Sequence, residues 1–131
     1  EPGLVSLLEL LASGMLEKLG EADDLMARVE QLVARRLEEG VPSLDDVADQ
    51  LGVGKRVLQR RLQQSETTFQ GLVESVRQRL AERYLENPSL SLHEIAFLLG
   101  YTDPSNFHRA FRRWFGATPA EVRARRSRTS G

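Results

Sequence analysis

The sequence predicts an all-α fold: two helix-turn-helix units joined by a long connecting helix, with a helical extension ahead of them. Three observations carry this. Apolar residues recur at spacings of three and four, the mark of one buried helix face. The glycines stand singly at the ends of those periodic stretches, where a helix needs a left-handed residue to stop. And one pattern occurs twice. Leu44, Val47, Ala48, Leu51 and Gly52 match Leu92, Ile95, Ala96, Leu99 and Gly100 at an offset of 48. After the turn, Leu58, Arg60 and Leu62 match Phe107, Arg109 and Phe111 at an offset of 49, so one residue is inserted in the second turn.

Residues 4–19 place Leu4, Leu7, Leu8, Leu11, Met15, Leu16 and Leu19 on one broad stripe, with Ser6, Glu9, Ser13 and Glu17 opposite. Such a face needs a partner, either its own domain or a second copy, and about two heptads are too few to define a coiled coil. Gly20 to Asp24 reads as a break, and Asp23 or Asp24 suits the cap of a helix over about 25–39 with Leu25, Val29, Leu32, Val33 and Leu37 inward. Gly40 and Pro42 end it.

Ser43 caps a helix over Leu44–Leu51, Gly52 stops it, and Lys55–Gln64 follows with Val57, Leu58 and Leu62 inward. Thr67–Asn87 is the connector. Its stripe is Phe69, Leu72, Val73, Val76, Leu80 and Leu85, its other side carries Arg77, Arg79 and Arg83, and Asn87-Pro88 closes it. The second unit runs from Ser91 to Phe115: a helix ending at Gly100, a cap at Asp103, Pro104 at the first helical position, then Phe107, Phe111 and Trp114 inward. Thr118-Pro119-Ala120-Glu121 starts a last short helix, and disorder is expected over Ser127–Gly131. The expected divisions are 1–22 (extension), 23–66 (first unit), 67–87 (connector) and 88–131 (second unit and basic tail).

Composition narrows the function. The chain has 131 residues, 40% hydrophobic and 28% charged, which suits one or two small soluble domains. Without cysteine there is no disulfide frame, thiolate metal site or thiol nucleophile. There is no signal-peptide pattern and no apolar run of membrane-spanning length, so a cytoplasmic protein without membrane contact is expected. The start Glu-Pro-Gly without Met suggests a fragment of something longer. The net charge of −1 hides an asymmetry: residues 1–40 carry 9 acidic and 4 basic groups, residues 41–131 carry 10 and 14. A phosphate backbone feels the local field, since screening acts beyond roughly 8–10 Å.

A helix after a glycine turn, apolar inside and basic outside, suits a DNA major groove. Arg56, Gln59 and Arg60 are the candidate base readers of the first unit, and Ser105, Asn106, His108 and Arg109 those of the second. Arg can hold guanine O6 and N7 with two bonds, and Gln or Asn can hold adenine N6 and N7. Lys55, Arg112 and Arg113 are placed as phosphate contacts, which set register without reading sequence. Phe107, Phe111, Trp114 and Phe115 have core spacing rather than that of a stacking platform. His93 lacks partners for a metal, no glycine-rich phosphate loop exists, and no nucleophile–base pattern supports an enzyme, so no cofactor, metal or catalytic residue is expected.

These residues resemble the DNA-binding domain of the AraC/XylS family of bacterial transcription regulators over about residues 25–126. The most specific part is Ile95-Ala96, Gly100-Tyr101, Asp103, Ser105, Phe107, Arg109, Phe111-Arg112-Arg113, Phe115-Gly116 and Thr118-Pro119. The resemblance implies sequence-specific binding of double-stranded DNA, each unit inserting a helix into the major groove. It also implies an effector or dimerisation domain outside this chain, with residues 1–20 as its end or linker. A regulator must also touch RNA polymerase or a second copy of itself. The competing reading is therefore a helical protein-interaction module, which the acidic, Leu-rich residues 1–39 suit best.

Overall fold

The computed structural model describes the backbone of residues 13–130 and the side chains of residues 24–127. The stripe expected on residues 4–19 has its side chains outside the described residues. Among the described residues there are seven α-helices, one 3-10 turn and no strand: α1 (Ser13–Arg36), the turn Leu37–Glu39, α2 (Leu44–Leu51), α3 (Lys55–Gln64), α4 (Phe69–Leu85), α5 (Leu92–Leu98), α6 (Pro104–Phe115) and α7 (Pro119–Ser130).

The expected break at Gly20–Asp24 is absent, because α1 runs through it. A glycine inside a helix costs about 1 kcal/mol. The flanking Glu21 and Ala22 favour helix, and the same helix buries Leu25, Val29, Leu32 and Val33 further on. Asp23 and Asp24 are thus interior helical residues rather than caps. The last helix also outruns its expected end, continuing to Ser130 where disorder from Ser127 was anticipated. Arg123 anchors it, donating to Leu90 O at 2.7 Å and Asn87 O at 3.2 Å, and Arg126 donates to Glu82 O at 3.0 Å. Those two arginines are fasteners rather than a free basic tail.

Local chemistry sets the other boundaries. Ser43 Oγ accepts from Asp46 N (3.0 Å), Thr68 Oγ1 from Gly71 N (3.0 Å) and Asp103 Oδ1 from Ser105 N (2.9 Å). Ser91 and Glu94 close a full capping box, each side chain accepting from the other's backbone N–H at 3.0–3.1 Å.

Two apolar cores result. The first joins α1, α2, α3 and the front of α4 around Val29, Val33, Leu37, Val47, Leu58 and Leu62. The second joins the back of α4 to α5 and α6 around Ala81, Leu85, Ile95, Leu99, Phe107 and Phe111. Helix α4 serves both through two faces. Leu72, Val73 and Val76 enter the first core; Ala81 and Leu85 enter the second, and Leu80 packs against both. The arginine at position 77 stands four residues before Ala81, so it faces the second unit instead of solvent, contrary to its expected place among the outward arginines. Its Nε donates to Leu99 O at 2.8 Å, and its guanidinium lies 4.2 Å from the centre of the Tyr101 ring.

Candidate nucleic-acid interface

Each unit turns between its helices in the same way. Gly52 and Gly100 both adopt a left-handed backbone, at φ +69° and +86°. The residue after each glycine donates its N–H five residues back, Val53 to Ala48 O and Tyr101 to Ala96 O, both at 3.0 Å. This is the closure that satisfies carbonyls at a helix end. The internal repeat of the sequence is therefore a repeat of geometry, and α3 and α6 begin 49 residues apart, at Lys55 and Pro104.

The same offset governs which way side chains point. At about 100° per residue, Arg60 stands opposite the midpoint of the buried Leu58 and Leu62. Arg109 has the same relation to the buried Phe107 and Phe111. All the base-reading candidates (Arg56, Gln59, Arg60, Ser105, Asn106, His108 and Arg109) are exposed, and so are Lys55, Arg112 and Arg113. Within the first group, Gln59 lies at the edge of the outward face, about 100° from Arg60.

Their present partners differ. Among the described residues Arg56, Arg60 and Arg112 make no ion pair, whereas Lys55 Nζ lies 3.3 Å from Asp45 Oδ1. Arg109 donates to Asn106 Oδ1, which joins two candidate readers into one unit. Arg113 is engaged from α4: Glu74 Oε1 accepts from it at 2.6 Å and from Trp114 Nε1 at 3.1 Å. Both members of the Arg113–Glu74 pair remain at least 46% exposed, which keeps the pair weak.

Glu74 and Arg77 thus brace α6 and the turn before it against α4. Sequence reasoning missed both, although their spacing to Ala81 (seven and four residues) marks one helical face. Burial raises the Tyr101 phenol above its usual value, against the lowering effect of the Arg77 charge on its ring. Val57, expected inward, is 45% exposed on the outward side of α3. The repeat signals this, since Val57 occupies the place of the exposed Asn106. His93, set aside as a metal ligand, lines a groove of about 380 Å³ with Ser105, His108 and Arg109.

A family model described as a helix-turn-helix domain matches residues 47–125. Among curated proteins, the ornithine utilization regulator of Pseudomonas aeruginosa is 39% identical over 93% of this chain and 36% of its own length. The HTH-type transcriptional regulator VirS of Mycobacterium tuberculosis is 45% identical over 76% of this chain and 29% of its own. The chain thus spans about a third of the curated relatives it matches. Among solved structures, an AraC-type transcriptional regulator from Chromobacterium violaceum superposes with a TM-score of 0.71 at 28% identity, over 82% of this chain and 96% of that one. The DNA-binding domain of AdpA, solved with a target DNA, gives 0.64 at 27% identity, over 81% and 97%. Among the described residues no helix is long and apolar enough to cross a membrane.

Proposed function

The chain belongs to the AraC-type helix-turn-helix family of DNA-binding transcription regulators, and from that premise we propose that it reads duplex DNA with α3 and α6 in successive major grooves. The observation that carries this is the shared phase of the two helices: each presents an arginine (Arg60, Arg109) directly opposite its buried face. Arg56, Arg60, Ser105, Asn106, His108 and Arg109 are the base readers, with Gln59 at the rim. Lys55, Arg112 and Arg113 meet phosphates, Arg113 by exchanging Glu74 for the backbone. The connector has 17 residues, roughly 26 Å at 1.5 Å per residue. That length, with the width of the units added, suits grooves about 34 Å apart.

In this reading the chain has no enzymatic role and works in the bacterial cytoplasm. An effector or dimerisation domain, which the family resemblance implies, would work alongside these helices in the whole regulator. Contacts with RNA polymerase or a second copy fall outside the reading helices. Selection of bound sequences from a random duplex library tests the proposal. Two enriched elements about one helical turn apart support it, and a single element or no enrichment refutes it.

A further inference from the structure

We infer that Val57 is a specificity-determining residue: it recognises the methyl group of one thymine in the half-site read by α3. The inference rests on the duplex-reading function proposed above.

Three large apolar side chains are exposed among the described residues (Val41, Val57 and Phe97), and Val57 is the one on a reading helix. Scattered surface valines are ordinary. The position of this one is not. Around α3 it lies about 60° from Arg60, closer to the outward direction than Gln59 is. By the offset of 49 it takes the place that Asn106 holds on α6. Asn106 bonds Arg109 there, and Val57 offers Arg60 no such partner. The two reading helices therefore differ in chemistry at the same point of the same surface.

That difference selects a ligand feature. Valine neither donates nor accepts a hydrogen bond, and its branched side chain is short and stiff. The apolar group that a base pair presents in the major groove is the thymine C5-methyl. With Arg56 and Arg60 beside it, both without an ion pair among the described residues, Val57 is carried to the base edges by groups that hold guanine or phosphate. Contact buries both methyl surfaces.

The test starts from the duplex obtained by random-library selection. Each thymine of the α3 half-site is replaced singly by deoxyuridine, which removes the methyl and leaves base pairing intact. Binding of the parent, Val57→Ser and Val57→Thr is then titrated, with circular dichroism to confirm equal helix content. One position is expected at which the parent loses about four-fold in affinity, the worth of one buried methyl-sized group at ~0.8 kcal/mol. Val57→Ser is expected to bind the unmodified site about that much more weakly and to be indifferent to deoxyuridine there. Val57→Thr, which keeps a methyl, is expected to remain sensitive. If no thymine position shows an effect that depends on residue 57, the inference fails while the duplex-reading function stands. If no duplex is selected at all, both fall.

Discussion

The two turn glycines offer a comparison built into the molecule. Gly52 and Gly100 are equivalent in the repeat and share a left-handed backbone, at φ +69° and +86°. A side chain there costs about 1–2 kcal/mol in strain. Gly→Ala recovers about 0.4–1 kcal/mol through the stiffer unfolded chain. What differs is the surroundings. A Cβ on Gly52 would meet nothing within 4 Å, whereas one on Gly100 would lie 2.5 Å from Leu37 O and 3.3 Å from its carbonyl carbon. That obstacle is backbone of the first core and cannot swing aside as a flexible side chain would. Forced overpacking adds about 1–3 kcal/mol. Gly52→Ala should therefore cost about 1 kcal/mol and Gly100→Ala about 2–4 kcal/mol. Urea unfolding followed by circular dichroism, with the slopes compared between variants, measures both. Equal losses, or a larger loss at Gly52, would refute the reasoning. Because the Leu37–Gly100 contact seats the second turn on the first unit, Gly100→Ala should also weaken binding to a two-element duplex more than to one element alone.

Three further outcomes are expected. Arg60→Ala and Arg109→Ala should each weaken specific binding by about 1–3 kcal/mol with helix content unchanged; parent-like affinity of both in a mobility-shift titration would remove them as readers. Arg112→Gln should lower the slope of log affinity against log salt by about 1. Arg113→Gln should lower it less, since Glu74 already holds that charge at 2.6 Å; the reverse order would contradict the assignment. Arg77→Lys should cost about 1–3 kcal/mol, because an ammonium cannot reproduce the planar fork on Leu99 O over Tyr101. Arg83→Lys, at an exposed site on the same helix, should stay within about 0.5 kcal/mol, and equal effects in thermal melts would show that Arg77 braces nothing.

Much of the fold was legible because its boundaries are written in local chemistry. Ser43, Gly52, Ser91, Gly100 and Asp103 act through hydrogen bonds or backbone angles confined to a few residues, so α2, α3 and α6 fall where the sequence puts them. What was illegible depends on distant partners. The helix persists through Gly20 because the residues beyond it are committed to a core, a fact that no local break signal contains. Arg77 looks like surface decoration until the carbonyls of Leu99 and Gly100 arrive from 22 and 23 residues away. The exposure of Val57 is an intermediate case. Its residue type argues for burial, whereas its repeat partner Asn106 argues for the surface, and the repeat is the better guide. The exposed, polar faces of α3 and α6 were legible as residue types, while the engagement of Arg113 by Glu74 required knowing how α4 lies against α6.

The central claim is that both reading helices engage one duplex at once. Guanine-N7 methylation interference on the selected site tests it most directly, since that atom lies in the major groove. Two clusters of interference about 10 base pairs apart are expected, one lost on Arg60→Ala and the other on Arg109→Ala. A single cluster, or two clusters that both respond to the same arginine, would contradict it.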